Sequence, residues 1–212
     1  MPNWVRTKVQ LMGKKSDVEA VLAKVMADDD YAKANKAYNE AFVLPDNLAE
    51  AGFTREQFLK RTEFYGNAVS FDKLIPQPDL MFRNPISSEQ ESKLGKLGVA
   101  NWYTWNCANW GTKWDACDAC LEWLDDFTAE VSFETAWNLP TPWLNALAAE
   151  CTAHDVELTG QFAEEQCGVL MGMLSNDDNG NAEYEYTDDT DIFYNVWGYE
   201  PLEDECESDD AI

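Results

Sequence analysis

Between Val5 and Leu11 the chain alternates apolar and polar residues, a pattern typical of a strand with one buried face. Gly13 ends the alternation. Ser16 and Glu19 then have the spacing of a capping box, and valines and leucines follow at helical intervals. The start of the chain therefore predicts a strand followed by an amphipathic helix.

Shorter elements are predicted over the rest of the first hundred residues. Thr54 with Gln57 and Ser88 with Glu91 each predict a capped helix. A short strand is predicted at 69–71, and the prolines that follow would end it because proline cannot donate to a ladder. Glycines then interrupt the helical pattern, and we place a domain boundary at about residue 100.

The second half alternates repeatedly, which indicates strands joined by turns. The predicted strands cover 113–124, 127–137, 155–162, 169–174 and 182–186. A helix is predicted from Pro142, since proline is tolerated in a first turn, and a shorter one at 192–197. Asn176–Gly180 predicts a hairpin turn, and 201–212 an acidic tail.

This order predicts an α+β fold. A ferredoxin-like antiparallel sheet with helices on one face is expected over 101–200, and a smaller α+β part is expected over 1–100. At 45% hydrophobic and 13% aromatic residues, the composition is that of a folded chain.

Charge divides the chain at the same place. Residues 1–100 carry 14 Lys/Arg and 14 Asp/Glu, whereas 101–212 carry 26 acids and one base, Lys113, so the second half holds the whole net charge of −25. Such a field repels nucleic acid and anionic lipid and attracts basic surfaces. A solubilising or salt-adapted surface is the alternative, but a salt-adapted chain would be acidic throughout.

Compartment and redox state follow from the same composition. No apolar run reaches the roughly 18–20 residues of a membrane span, and the N-terminus lacks an apolar signal core, which predicts a cytoplasmic protein. The six cysteines are then expected to be reduced thiols.

The string from Trp110 to Ala116, WGTKWDA, resembles the signature of the YubB-like family of phage- and plasmid-borne proteins. Weaker strings agree at Met1–Trp4, at 69–76 and at Phe133–Trp137. The resemblance implies a ferredoxin-like C-terminal domain and a mobile-element origin. It implies no activity, and a fold that hosts many functions cannot supply one.

Two cysteine-containing pairs invite a zinc interpretation. Cys117-x-x-Cys120 with Cys151-x-x-His154 offers thiolates and an imidazole suited to a tetrahedral ion. In a regular strand, however, residues three apart point to opposite faces, which favours buried thiols. We predict no metal and no cofactor, with zinc at these four residues left open.

Other candidate chemistry is weaker. Asp177–Gly180 fits a calcium loop poorly, because Ser175 and Tyr186 would stand where acids are required. His154 is the only histidine, and we place it at the end of the helix that follows Pro142, so the usual catalytic sets are missing and no enzyme is predicted. The tryptophans Trp102, Trp105, Trp110, Trp114 and Trp123 are expected to pack in the core or an interface, and Lys113 to be ion-paired or to lie along an aromatic ring.

The acidic surface is the remaining candidate. Six acids are placed on the solvent side of predicted strands: Glu130, Glu134, Asp155, Glu157, Glu183 and Glu185. Turns and the tail add Asp125, Asp126, Asp177, Asp178, Asp188, Asp189, Asp191, Glu203, Asp204 and Glu205.

These sixteen acids lead to a functional hypothesis. Alternate strand residues are about 6.7 Å apart and DNA phosphates about 3.4 Å, so rows of carboxylates imitate a phosphate backbone coarsely. We expect a non-enzymatic phage protein, a DNA mimic that inhibits a basic nucleic-acid-binding host defence complex of restriction or CRISPR type. It would bind neither nucleic acid nor membrane directly. The alternatives are an adaptor that binds through a tryptophan-rich surface and, less favoured, a metal-dependent hydrolase.

Overall fold

The predicted opening strand is present as β1 (Trp4–Met12) in a computed structural model that describes residues 3–63 and 68–201. The elements that follow in the first hundred residues are α1 (Lys15–Val25), β2 (Met26–Ala27), α2 (Asp29–Ala41), α3 (Asp46–Glu50), a 3₁₀ turn (Arg55–Phe58), β3 (Ala68–Val69), α4 (Phe71–Leu74), β4 (Met81–Phe82) and α5 (Ser88–Leu97). The second half contains β5 (Ala100–Asn101), α6 (Trp102–Asn109), β6 (Cys117–Trp123), β7 (Thr128–Ala136), α7 (Thr141–Ala153), β8 (Glu157–Glu164), β9 (Met171–Asn176), β10 (Ala182–Tyr186) and α8 (Thr190–Trp197).

Six strands form one antiparallel sheet in the order β10-β9-β8-β1-β7-β6. Of the strands described in the first hundred residues, β1 alone belongs to this sheet; it lies between β7 and β8, so it crosses the predicted division near residue 100. Its alternation explains this position, because Val5, Val9 and Leu11 are fully buried on one face while the residues between them face the other way. The α+β fold class with its ferredoxin-like sheet is confirmed.

The main core lies between this sheet and helices α1 and α7. Trp143 on α7 packs against Phe71, with ring centroids 4.6 Å apart, and against Phe133 on β7 at 5.5 Å. All three rings are fully buried. A smaller core around Phe53, Phe58 and Phe82 holds the N-terminal part together.

One helix departs from the predicted arrangement, which placed helices on a single face. α8 packs on the opposite face of the sheet, where Ile192, Phe193 and Val196 form a second cluster with Ala163 and Met171. Its apolar stripe requires such a partner, and those two strand residues provide it because they point away from the main core.

Local predictions held with small shifts. The boxes predicted at Thr54/Gln57 and near Ser88 exist, the second as Ser87 with Gln90, but the first begins the short 3₁₀ turn Arg55–Phe58 and not the predicted helix. The capping box predicted at Ser16 and Glu19 is wrong, since the N-cap of α1 is Lys14, two residues before Ser16, and it makes no side-chain cap bond.

Two further local outcomes concern Phe71 and the tail. Phe71 begins α4 instead of continuing a strand. Of the predicted acidic tail, 202–212 lies outside the described residues, and within the described ranges no helix is long and apolar enough to cross a bilayer.

Two glycines allow a matched test of the sheet. A Cβ at Gly172 would overlap the backbone oxygen of Glu185 and lie 3.0 Å from the Cα atom of Tyr186, whereas a Cβ at Gly95 on α5 meets nothing within 4 Å. Gly172→Ala is expected to lower the free energy of unfolding by about 3 kcal/mol, as overpacking against backbone does. Gly95→Ala should raise it by about 1 kcal/mol through helix propensity. Urea denaturation measures both, and equal effects would contradict the packing argument.

Candidate functional site

The sheet face opposite α1 and α7 is called here the open face. Alternate residues of β1 from Trp4 to Met12 point to it, and the pairing register then fixes which residues of the neighbouring strands do so. Glu130 on β7 lies opposite Gln10, which donates a hydrogen bond of 3.0 Å to its carboxylate. Glu157 on β8 lies opposite Met12. Both glutamates thus lie on the face that was predicted.

The edge strand β10 adds two more carboxylates to the open face. Glu183 lies opposite Ser175 and Glu185 opposite Met173, and both glutamates are exposed. Their prediction as solvent-facing residues is confirmed.

One acid of the open face was missed by the sequence reasoning. Glu122 on β6 is exposed and lies directly opposite Glu130 on β7. Like charges directly opposite each other destabilise a sheet, so this pair is a cost to folding. The apolar Leu121 and Trp123 beside Glu122 were the available signal, but the bulge in β6 hides its face from a simple alternation.

Further acids lie at one end of the sheet, called here the turn end, where β1 finishes and β8 begins. Asp125 and Asp126 form the β6–β7 turn, Asp155 precedes β8, and Asp177 and Asp178 form the β9–β10 turn. Asp155 was predicted on a strand; this is wrong, since it lies in the connection after α7 with φ of 57°. It is nevertheless exposed.

Two turn-end aspartates also hold their turns. The Asp177 carboxylate accepts hydrogen bonds from the Asn181 side chain and backbone and from Asn179, which lower its pKa to about 2. Asp125 accepts from the Phe127 backbone N–H, and its pKa is lowered too. The Asp177 result confirms the hairpin turn in place of a calcium loop.

Glu134 is the clearest correction among the predicted acids. It points to the open face as expected, but it is only 7% exposed because Arg6 on β1 forms a two-point ion pair with it. The Arg6 guanidinium also lies 4.6 Å from the centre of the Trp197 ring on α8. A neutralised, covered carboxylate offers nothing to a partner.

The remaining predicted acids lie elsewhere. Asp188, Asp189 and Asp191 are exposed near the start of α8, beyond the opposite end of β10, and Asp189 caps that helix. Glu203, Asp204 and Glu205 lie outside the described residues.

The open face contains a groove of about 840 Å³ beside α8. Lining residues include Lys8, Gln10, Glu130, Met173, Glu183 and Glu185. Lys8, which would counter the acids, donates its ammonium to the Asn195 carbonyl on α8 at 2.7 Å. The groove therefore presents three carboxylates, Glu130, Glu183 and Glu185, and the Lys8 ammonium, which is already hydrogen-bonded to α8.

The opposite end of the sheet carries the WGTKW string. The Lys113 ammonium lies 3.8 Å from the centre of the Trp114 ring and 3.4 Å from that of Trp137, which confirms the predicted aromatic packing of this lysine. Trp110 is buried, also as predicted, but Trp114 is 37% exposed and Trp137 48%. Trp137 has a backbone φ of 70°, a conformation that residues other than glycine rarely adopt.

The four candidate zinc ligands are not brought together. Cys117 and Cys120 both pair on the open-face side of β6, because a bulge at Asp118 (φ 45°) separates them; the expectation of opposite faces was wrong. Cys151 lies in the main core on the other side of the sheet, where burial raises its pKa to about 12. His154 ends α7, as predicted.

The cysteines largely match the expected redox state. Cys107, Cys117, Cys120 and Cys151 are free thiols. The prediction is wrong for Cys167, which is disulfide-bonded.

Comparisons with known proteins bear on the second half. Residues 109–205 match the family model described as a ferredoxin-like domain in Api92-like protein, which confirms a C-terminal domain of this fold. A crystal structure of a protein api92 from Yersinia pseudotuberculosis is similar over 88% of this chain and 98% of that one, at 8% identity and a TM-score of 0.47. No curated protein sequence matches the chain.

Proposed function

We propose that this chain is a non-enzymatic nucleic-acid mimic that occupies the basic cleft of a DNA- or RNA-binding host protein. The observation that carries the proposal is the gathering of carboxylates from β6, β7, β8 and β10 on one open face, continued by aspartates along the turn end. Carboxylates this close repel one another, which lowers stability. A basic partner would relieve that repulsion.

The dimensions of a sheet support the mimicry. Glu183 and Glu185, two residues apart on β10, are separated by about 6.7 Å along the strand, and neighbouring strands lie about 4.8 Å apart. Phosphates in DNA follow at about 3.4 Å of helix axis per strand, so the carboxylate lattice reproduces every second phosphate. The same field makes direct binding of nucleic acid unfavourable.

The target class rests on the mobile-element resemblance. The string from Trp110 to Ala116 resembles a family of phage- and plasmid-borne proteins. We therefore infer a restriction or CRISPR complex as the partner, reached in the host cytoplasm.

A competition experiment tests this function. Purified chain is titrated into restriction and CRISPR nuclease complexes already bound to labelled DNA, at 50 mM and 400 mM salt. Displacement at low salt that weakens at high salt is expected. Failure to displace DNA from every complex at low salt would refute the proposal.

A second candidate function, an adaptor, is favoured by the exposed indoles of Trp114 and Trp137. Large exposed aromatics are the usual energetic centres of protein interfaces. The unusual backbone of Trp137 costs about 1–3 kcal/mol, which a merely packed residue would not require.

The adaptor has its own test. If it is correct, Trp114→Ala and Trp137→Ala are each expected to weaken capture of a partner from host lysate at least tenfold, because hot-spot truncations cost about 2 kcal/mol or more. Phe127→Ala is the control, since Phe127 is 62% exposed but lies at the turn end. Equal binding by all three variants would contradict the adaptor.

A further inference from the structure

Strand β10 forms one edge of the six-stranded sheet. Among the described residues no strand pairs with its outer side, whereas β3 lies beside β6 at the other edge. A sheet edge presents unpaired N–H and C=O groups, which another chain can use by adding a strand. Of the devices that usually prevent such pairing, β10 has no proline and no bulge, and only the charges of Glu183 and Glu185 remain.

The pairing register determines which backbone groups of β10 face outward. Just beyond the strand, the Thr187 N–H donates to the Met171 carbonyl of β9 at 3.2 Å, so the odd-numbered residues of β10 bond to β9. In an antiparallel ladder the residues between them direct both backbone groups to the other side. The N–H and C=O groups of Tyr184 and Tyr186 therefore point away from the sheet.

The open part of this edge begins after Ala182. The Ala182 N–H donates to the Asn145 side chain on α7 at 3.3 Å, which closes the beginning of the strand. Among the described residues nothing similar covers the backbone of Tyr184 or Tyr186. The Tyr184 side chain is fixed, because its hydroxyl donates to the Thr141 carbonyl at 3.3 Å. The edge thus offers the backbone donors and acceptors of both tyrosines on a well-anchored strand.

Glu183 and Glu185 determine what kind of strand fits. Both are exposed and point to the open face. In an added strand, the residues opposite them would form the non-hydrogen-bonded pairs, in which opposing side chains are closest. Opposite charges in such pairs stabilise a sheet and like charges destabilise it. Two copies of β10 paired along their full length would bring glutamates together, so the edge disfavours self-association and favours a basic strand.

The other side of the edge favours apolar residues. Tyr186 is 62% exposed, although its ring centroid lies 5.7 Å from that of Phe162 on β8. The residues of an added strand that bond to the tyrosine backbones would point to this side, next to the Tyr186 ring. Aromatic and β-branched side chains pair well across strands. The two sides together select a segment in which basic and apolar residues alternate.

We propose that β10 is a docking edge for a basic, extended segment of the partner protein. The segment adds as an antiparallel strand, with lysine or arginine opposite Glu183 and Glu185 and apolar residues opposite Tyr184 and Tyr186. Backbone hydrogen bonds supply affinity, and the glutamates supply specificity. The inference rests on the proposed function for the basic character of the partner, and it adds that the partner contributes a peptide strand.

A peptide with alternating lysine and valine tests the docking edge on the full chain. The probe is the acetylated and amidated heptapeptide TKVKVKT, with affinity measured by isothermal titration calorimetry at 50 mM salt. Valine N–H groups would face β10 and lysine N–H groups would face away. N-methylation of both valines is expected to weaken binding at least tenfold, because hydrogen bonds are lost. N-methylation of two lysines is the matched control and should change affinity less than about threefold.

Two results of the peptide titration overturn the proposal. One is no binding of the unmodified peptide at millimolar concentration. The other is an equal loss of affinity from methylation at valine and at lysine, which would show that charge alone attracts the peptide.

Amide exchange measured by NMR locates the bound peptide. In the free chain the N–H groups of Tyr184 and Tyr186 are expected to exchange rapidly, whereas those of Glu183 and Glu185 are already bonded to β9. Peptide at ten times its dissociation constant or more should slow exchange of the two tyrosine amides about tenfold. Binding that leaves both rates unchanged would place the peptide elsewhere, for example as a helix across the open face, and would overturn the proposal.

A pair of variants tests the edge from the side of the chain. Tyr186→Pro removes an outward N–H without removing a bond to β9, and proline is tolerated on edge strands. Tyr186→Ala loses the same ring but keeps the N–H. We expect the proline variant to bind the peptide about fivefold more weakly than the alanine variant, the effect of one hydrogen bond. Equal affinities would contradict strand addition; if Tyr186→Pro does not fold, the methylated peptides decide alone.

Failure of the docking edge and failure of the mimicry give different results. If the chain displaces DNA from a nuclease complex but the peptide tests are negative, the mimicry stands and the docking edge is refuted. If the peptide adds to β10 and DNA is not displaced from any complex, the docking edge stands and the mimicry is refuted.

Discussion

A chain carrying lysine in place of Asp126, Asp178, Glu183 and Glu185 is expected to bind its basic partner at least about 100-fold more weakly at low salt. All four side chains are exposed, two at the turn end and two on the open face. The substitutions change the charge of that surface by eight units, which turns attraction into repulsion. The dissociation constant at 50 mM salt, with circular dichroism to confirm folding, measures the effect.

The matched control reverses four exposed acids of the first hundred residues, Glu19, Glu40, Glu50 and Glu91, also to lysine. The net charge changes by the same eight units, so binding to a partner that responds only to total charge would weaken equally in both variants. We expect the control to bind within about threefold of the wild type, because the altered charges belong to α1, α2, α3 and α5 and not to the open face or the turn end. Equal loss in both variants would show that no localised surface is recognised.

Much of the fold could be predicted because its strands have one buried and one solvated face. The alternation in β1, β7, β8 and β10 follows directly from that geometry, and it placed Glu130, Glu157, Glu183 and Glu185 correctly. The proline-initiated helix α7 and the turn at Asp177 were equally readable, because local backbone chemistry determines them.

What the sequence could not supply are contacts between distant segments. Glu134 and Glu130 look alike in an alternating strand, and only the arrival of Arg6 from a position 128 residues away buries one of them. The bulge at Asp118 likewise changes which β6 side chains share a face. For this reason the sequence reasoning did not place Glu122 on the open face, and it predicted Cys117 and Cys120 on opposite faces. A cavity of about 340 Å³ between Tyr31, Asp72 and Trp102 has no local signature, since its walls come from α2, α4, α6 and the loops between them.

We expect Asp115 to lower the free energy of unfolding as pH rises, which is the opposite of the usual effect of a carboxylate in a folded protein. Burial raises its pKa from 3.8 to about 6, although hydrogen bonds from Phe71, Ser70 and Ala116 oppose the rise. The folded state thus holds a proton that the unfolded chain has released, so stability is lost as pH increases from about 4 to above 6. The loss attributable to this group is at most about 3 kcal/mol.

Asp115→Asn isolates that contribution. The Asn oxygen can still accept from Phe71 and Ala116, and its amide can donate to the Ser70 hydroxyl, so the links to α4 survive without the charge. We expect the variant to gain about 2 kcal/mol of unfolding free energy over the wild type between pH 4.5 and pH 8, measured by urea denaturation.

Two further variants fix the interpretation of that pH dependence. Asp115→Ala leaves two backbone N–H groups without an acceptor and should destabilise at every pH, by about 3 kcal/mol. Asp177→Asn has the opposite sign to Asp115→Asn, because the lowered pKa of Asp177 stabilises the fold above pH 3.8 and is lost only as pH falls toward 2. Parallel curves for the wild type and Asp115→Asn between pH 4.5 and 8 would show that Asp115 stays ionised throughout, and that the WGTKW string is joined to α4 by a charged carboxylate rather than a protonated one.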